Sequence, residues 1–377
     1  MALPLILIVD DNPENLTVLG ELLQPRHTVR VANSGVRALR LARLEPQPGL
    51  ILLDVMMPRM DGFEVLRQLR AQPGTAGIPV VFLTALTDPA DEQRARQHGA
   101  AAYLTKPVKP VHPEQLYAML SHWIGATRPA QAASKPVGAG AVPSAAAMLP
   151  APPGPAPAPQ PALTVPGLTM SRALMYLPGR DQIFERVLRQ FANHYQPGIA
   201  GLSVALAAGD WQQIRRLLHS LRGACGAIGA TDLLARTGAL EKALDPASDD
   251  ADGGAAEPAD ASLLAAQGRQ IERDLSALVS AIQDRLDNMP APLASPPGAD
   301  RAALHSAMDV LAAQLRVADF AASASFRALA PQLQAAFGAV AAQPAAEAMA
   351  RHDYDGALLA LHGLRHPITS AQPLRDQ

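Results

Sequence analysis

Five short apolar runs, each followed by a segment with helical periodicity, constrain the fold of the first third of this 377-residue chain. The runs lie at residues 3–9, 27–32, 50–54, 78–84 and 101–105. Apolar residues recur at helical spacing in the segments at residues 13–24, 35–45, 62–71, 88–98 and 112–124. Strands that are apolar throughout belong in a parallel sheet covered on both faces. The sequence therefore predicts an α/β fold with a doubly wound, five-stranded parallel sheet.

Polar side chains stand at the ends of four of these runs, where doubly wound sheets place their sites. Asp10 and Asp11 follow the first run, Asp54 ends the third, Thr84 ends the fourth and Lys106 follows the fifth. Three carboxylates in one cleft repel each other unless a cation lies among them, and hard oxygen ligands suit Mg²⁺. A single Asp at a strand end is more often a helix N-cap, but five suitable groups together favour a site.

These residues resemble the receiver domain of two-component response regulators, and the resemblance extends over residues 3–124. It is carried by the segments IVDDNPENL, LLDVMMPRMDGFEVL, VVFLTAL and AYLTKPV. It implies the flavodoxin-like receiver fold, with phosphorylation of Asp54. It also implies that Asp11, Asp54 and the backbone carbonyl of Met56 hold Mg²⁺, with assistance from Asp10.

The resemblance further implies a conformational switch. Thr84 and Tyr103 would move together when the phosphoryl group arrives, and Lys106 would bridge to that group. A lysine and a hydroxyl can stabilise charge on a transferred phosphoryl group. From the residues alone, Tyr103 is equally consistent with packing in a strand.

A histidine in a glycine-rich helical stretch, His219 in residues 209–230, is the second feature that indicates function. Each glycine inside a helix costs about 1 kcal/mol relative to alanine, so a flat patch that admits a partner's backbone is one reason for them. Guanidinium groups bind phosphoryl oxygens, and a neutral imidazole is a competent nucleophile. A surface histidine at a fraying helix end is the ordinary alternative. The predicted docking neighbours of His219 are Arg215, Arg216, Arg222, Gly223 and Gly226.

The segment HSLRGACGAIGA resembles the phosphorylated helix of histidine phosphotransfer (HPt) domains. The resemblance covers most of residues 168–244. It implies that His219 carries a phosphoryl group, with Arg222 standing where lysine is commoner. The helical pattern of this region predicts an antiparallel bundle with His219 on its outside.

Changes in composition divide the chain. The predicted parts are a receiver (1–125), a Pro/Ala-rich linker (126–167), a phosphotransfer bundle (168–287) with an acidic loop (245–260), a second linker (288–300) and a C-terminal helical module (301–377).

The C-terminal module has an internal echo, because Asp353-Tyr354 and His362 repeat the spacing of Asp210-Trp211 and His219. It is either a degenerate second phosphotransfer bundle or a module for packing or pairing. Since Pro367 follows closely and the glycine-rich tail is missing, we do not expect His362 to be phosphorylated.

Composition and missing motifs exclude several classes. A net charge of −2 gives no electrostatic argument for nucleic-acid binding, and no apolar run approaches the length of a membrane span. The single cysteine, Cys225, fits a reducing compartment and a small core position, and we expect a cytoplasmic protein without a signal peptide. No nucleotide-binding loop is evident, so we expect a phosphotransfer protein rather than an enzyme with a kinase domain.

The function that the sequence predicts is a phosphorelay between Asp54 and His219, within the chain or with partners. Those partners are a sensor histidine kinase, including a hybrid kinase, and other receiver or HPt proteins. In the alternative hypothesis, phosphorylation of Asp54 gates a binding partner through the C-terminal helices while His219 drains phosphate. The sequence leaves open the direction of flow and whether the chain dimerises.

Overall fold

A computed structural model describes residues 3–84, 99–105, 116–117, 120, 122–123, 165, 168, 180–244, 261–288 and 301–365. The predicted helix at 88–98, Lys106, the acidic loop and the second linker lie outside these residues. Of Thr84 and Tyr103 only the backbone is described.

The N-terminal part contains the predicted parallel sheet. Its elements are β1 (Leu5–Val9), α1 (Pro13–Leu23), β2 (Thr28–Ala32), α2 (Gly35–Leu41), β3 (Leu50–Asp54), α3 (Gly62–Arg70), β4 (Val80–Thr84) and β5 (Ala102–Thr105). All neighbouring strands are parallel, in the order β2-β1-β3-β4-β5. The prediction of a doubly wound, five-stranded sheet is confirmed.

Local chemistry explains where α1 begins. The Asn12 side chain accepts hydrogen bonds from the backbone N–H groups of Glu14 and Asn15, and Pro13 occupies the first helical position. An asparagine cap followed by proline is a favoured helix start, because proline lacks an N–H that would be unsatisfied there. The helix therefore begins directly after Asp10 and Asp11, and this brings its first turn beside the carboxyl end of β1.

Five helices form the predicted bundle. They are α4 (Arg180–Tyr195), α5 (Leu202–Ala208), α6 (Trp211–Ile228), α7 (Thr231–Ala243) and α8 (Ala261–Asp287). The Asp210 side chain caps α6 by accepting from the backbone N–H of Gln213, and Gly229 ends the helix in the left-handed conformation with φ of 75°. Cys225 is fully buried in the bundle core, and burial raises the pKa of its thiol.

The C-terminal module consists of α9 (Arg301–Arg316), α10 (Ala322–Phe337), α11 (Ala339–Ala350) and α12 (Tyr354–Arg365). It packs on the sheet domain and shares one buried apolar cluster with it. The turn between α9 and α10 lies against the open edge of β2, where Val31 N–H donates to Ala318 at 3.0 Å and Phe320 N–H donates to Val29 at 2.9 Å. The module thus covers a strand edge that would otherwise expose unpaired backbone groups.

Helix α1 lies between the two helical modules. Its residues Val18 and Leu22 belong to the buried cluster of the bundle, while Gly20 contacts Phe320 of the C-terminal module. Glu21 of α1 also forms an ion pair with Arg186 of α4. None of the described helices is both long and apolar enough to cross a membrane.

Candidate functional site

Three carboxylates converge at the carboxyl edge of the sheet. Asp10 and Asp11 follow β1, and Asp54 ends the adjacent β3. Each offers an oxygen within 4.8 Å of the others, and Asp10 and Asp54 are almost fully buried. Asn15 Nδ2 donates to both oxygens of Asp10 at 3.2 Å, which fixes that carboxylate. A cluster of oxygen ligands with this much negative charge suits a hard divalent cation.

The helix that carries His219 is docked on this edge. Ser220, the residue after His219, donates from Oγ to Asp11 Oδ2 at 2.7 Å. Asn12 Nδ2 donates to the backbone carbonyl of Ser220 at 3.3 Å. Gly223 lies one turn further along α6, and a Cβ added there would stand 3.2 Å from Asn15 Nδ2. Glycine therefore allows the helix backbone to approach the receiver closely, as the sequence argument for a flat patch requires.

His219 itself is buried, with 2% of its surface exposed, whereas we expected it on the outside of the bundle. Its position explains the difference. Ser220 and Gly223, one and four residues further along α6, contact the receiver, while the ring itself lies against Glu241 of α7. The side of α6 that carries Ser220 and Gly223 is thus covered by the receiver, and the ring is enclosed between α6 and α7.

The imidazole of His219 has an acidic partner in place of the predicted ring of cations. Its Nδ1 lies 2.6 Å from Oε1 of Glu241, a buried residue of α7. Arg222 Nε lies 3.0 Å from the other oxygen of the same carboxylate. A carboxylate accepts a hydrogen bond from N–H, so it favours the tautomer in which Nδ1 carries the proton. The nucleophilic lone pair is then on Nε2.

The other predicted site residues occupy varied positions. Arg216 is exposed, and Arg215 and Gly226 are partly buried on α6. Met56 follows β3 two residues after Asp54. The strand register pairs Thr84 with Thr105 at the same edge of the sheet as Asp54, and pairs Tyr103 with Phe82.

Sequence analysis missed Glu241, Ser220, Asn12 and Asn15. The sequence does contain a pattern that marks Glu241 as buried. It shares the inward face of α7 with Leu233, Thr237 and Leu240. An acid on a core-facing position requires a partner. One sequence does not say which partner it has.

A second charged contact links the two domains. His194 Nδ1 of α4 lies 3.6 Å from Oε1 of Glu14, a fully buried carboxylate of α1. Burial lowers the pKa of His194, but the close Glu14 carboxylate outweighs it, so the pKa is raised above its ordinary value. The protonated form of His194 thus favours the docked arrangement.

Two family models match separate parts of the chain. The family model for the response regulator receiver domain matches residues 6–121, and that for the Hpt domain matches residues 186–290. The polar-differentiation response regulator DivK of Brucella anthropi is 39% identical over 105 residues, which are 27% of this chain and 84% of the relative. The chain belongs to the response regulator family. The Hpt match adds a domain of the histidine phosphotransfer type to the receiver in the same chain.

Other similarities also fall on the receiver. A Vibrio cholerae protein named "Probable cyclic di-GMP phosphodiesterase" is 43% identical over 103 residues, which are 27% of this response regulator and 23% of the relative. The chain thus spans less than a quarter of that relative's length. The receiver domain of a Pseudomonas aeruginosa sensor histidine kinase, solved with a magnesium ion in its active-site cleft, is 34% identical, with a TM-score of 0.30. That match covers 33% of this chain and 99% of the solved one.

Proposed function

We propose that this response regulator passes a phosphoryl group between Asp54 and His219 of the same chain, and exchanges it with partner proteins. The observation that carries the proposal is the 2.7 Å hydrogen bond from Ser220, the neighbour of His219, to Asp11 of the carboxylate cluster. Docking of donor and acceptor in one chain replaces a bimolecular encounter with a first-order step.

The carboxylate cluster fits Mg²⁺ by its donor chemistry. Asp11, Asp54 and the backbone carbonyl of Met56 would hold the ion, with Asp10 assisting. All of these ligands are hard oxygens, the ligand type that Mg²⁺ prefers. When bound, Mg²⁺ would neutralise negative charge on the phosphoryl oxygens. Lys106 and the Thr84 hydroxyl are proposed to contact the same oxygens.

The transfer step is a displacement at phosphorus. The Nε2 lone pair of His219 forms the P–N bond while the P–O bond to Asp54 breaks, and the electron pair returns to the Asp54 carboxylate. Since Nδ1 keeps its proton, the phosphorylated ring carries a positive charge. Glu241 stabilises that charge through its 2.6 Å contact with Nδ1. The reverse reaction follows the same path, because both phosphorylated forms are energy-rich.

A kinase-free experiment tests the proposal. The full chain is incubated with a small acyl phosphate and Mg²⁺, and phosphate is then sorted into base-labile acyl phosphate and acid-labile phosphohistidine. We expect the wild type to accumulate both, Asp54→Asn to accumulate neither, and His219→Gln to retain acyl phosphate alone. Phosphohistidine in the Asp54→Asn variant, or none in the wild type, would contradict the proposed route.

The wider proposal covers partners, location and domains. A sensor histidine kinase, simple or hybrid, would load the receiver in the cytoplasm, and other receivers or HPt proteins would exchange phosphoryl groups with His219. We keep the division into 1–125, 168–287 and 301–377. In the alternative hypothesis the C-terminal helices bind a partner, and His219→Gln would then leave signalling to that partner unchanged.

A further inference from the structure

A cavity of about 180 Å³ lies where the receiver, the bundle and the C-terminal module meet. Thr17 of α1 contributes from the receiver, and Gln190 and Arg186 of α4 contribute from the bundle. The C-terminal module provides an apolar lining that includes Phe326 and Met349. A ligand held here would contact all three parts of the chain.

One wall of this junction cavity is a buried polar network. The Thr17 hydroxyl donates to Gln190 Oε1 at 2.8 Å, and Gln190 Nε2 donates to the Ala350 carbonyl at 3.0 Å. His352 Nε2 lies 2.9 Å from the Thr17 oxygen. Because the Thr17 proton is already used, His352 must be the donor of that contact. Burial, with the nearby Arg186 and Arg37, lowers the pKa of His352 to about 3, so the ring is neutral.

Cationic side chains from two modules border the cavity. Arg186 and Arg189 stand on α4, and Arg327 stands on α10. Arg186 pairs with Glu21, and Arg189 pairs with Glu185 at 2.9 Å. Among the described residues, no carboxylate forms an ion pair with Arg327.

The two modules bring like charges together here. Arg327 is exposed on its outer side. Desolvation where it borders the cavity, and then the Arg186 guanidinium, lower the pKa of Arg327, with Glu21 opposing them. An anion placed between the two guanidinium groups would relieve their repulsion and make charge-assisted hydrogen bonds.

We propose that the junction cavity binds a small organic acid, with its anionic group between Arg186 and Arg327 and a compact apolar body against Phe326 and Met349. The volume of the cavity limits the apolar part of the ligand to about one aromatic ring, since a cavity of roughly 150 Å³ holds one benzene-sized molecule. The cavity is smaller than the roughly 300 Å³ or more of drug-sized ligand sites, so a compact acid fits it better than a nucleotide does. The cavity lies apart from the Asp54 and His219 site, so its test does not rest on the phosphotransfer proposal.

Binding in the cavity has a structural consequence. The ligand contacts the three modules only when they are docked, so it stabilises the docked arrangement by mass action. By thermodynamic linkage, a change that favours the undocked arrangement lowers the affinity for the ligand by the same free energy by which the ligand favours docking.

The experiment titrates the full-length chain with benzoate by calorimetry and repeats the titration with benzamide, its uncharged isostere. We expect saturable benzoate binding at one site and about tenfold weaker binding of benzamide, because benzamide keeps the ring but loses the charge-assisted hydrogen bonds. Arg327→Gln should weaken benzoate about tenfold. Arg316→Gln, an exposed arginine of α9 outside the cavity, is the matched control and should bind as the wild type does.

A second measurement locates the ligand. The methyl resonance of Met349, assigned with Met349→Leu, should shift on addition of benzoate in the wild type and in Arg316→Gln. Equal binding of benzamide and benzoate, full affinity in Arg327→Gln, or a Met349 resonance that does not move would each overturn the proposal. The absence of saturable benzoate binding to the wild type would also overturn it.

Discussion

Substitution of Gly20 by alanine should have opposite effects on stability in two backgrounds. Gly20 lies inside α1, and a Cβ added there would stand 2.4 Å from Cε2 of Phe320 in the C-terminal module. That distance is far inside van der Waals contact. In the wild type, overpacking of this kind should cost about 1–3 kcal/mol, which exceeds the roughly 1 kcal/mol that alanine gains over glycine in a helix.

Removal of the Phe320 ring reverses the balance. Phe320 is 2% exposed, and a phenylalanine to alanine change at a buried site costs about 3–5 kcal/mol. The space that it leaves accommodates the new methyl group. In the Phe320→Ala background, Gly20→Ala should therefore stabilise the chain by about 1 kcal/mol. The alanine gain is common to both backgrounds, so the coupling energy of this double-mutant cycle equals the overpacking cost, about 1–3 kcal/mol.

Two tryptophans provide the assay. Trp123 packs against the cluster shared by the receiver and the C-terminal module, and Trp211 packs against the bundle cluster. Since these are the only tryptophans in the chain, Trp211→Phe leaves Trp123 as a local reporter. Urea unfolding of the four cycle members in that background gives the coupling energy from the Trp123 transition. Phe320→Leu replaces Phe320→Ala if the alanine variant does not fold.

The sign of the Gly20→Ala effect decides the result. If Gly20→Ala stabilises both backgrounds equally, Phe320 does not pack on α1, and the placement of the C-terminal module on the receiver is wrong. Phe337→Ala, a half-buried phenylalanine of α10, is the chemical control and should cost less than Phe320→Ala.

Three further predictions concern the docked site. Glu241→Gln should slow transfer between Asp54 and His219 about tenfold to a hundredfold, because a neutral amide stabilises the charged ring less well. Rapid-quench time courses measure this rate, and an unchanged rate would show that Glu241 does not stabilise the phosphorylated ring. Gly223→Val should slow the same transfer step, since the valine side chain would collide with Asn15 of the receiver. Loading of Asp54 from acyl phosphate should stay normal, and slower loading would indicate damage to the receiver instead. Docking should weaken as pH rises through the raised pKa of His194, because the Glu14 contact is fully present below the ordinary value of about 6.5. Amide hydrogen exchange of α1 measures this, and His194→Gln should remove the dependence.

The sequence predicted elements whose signal is local. The apolar runs of β1 and β3 and the helical spacing of α1 depend on neighbours a few residues away, so periodicity suffices to predict them. The carboxyl edge of the sheet then places Asp10 and Asp54 together without any further information.

The arrangement of the modules was not predictable in this way. A proline-rich linker imposes no orientation on the domains that it joins. Three features arise from contacts between residues that are distant in the chain. They are the burial of His219, its contact with Glu241 and the packing of Phe320 on α1. Periodicity showed which faces of these helices are apolar, but not which partner each face meets.

The concentration dependence of phosphoryl transfer tests the central claim most directly. After a brief pulse of acyl phosphate, the appearance of phosphohistidine on His219 is followed at several protein concentrations. Transfer within the docked chain predicts one first-order rate at every concentration, and a much slower reaction when Asp54→Asn and His219→Gln chains are mixed. A rate proportional to concentration, matched by the mixed variants, would contradict transfer within one chain.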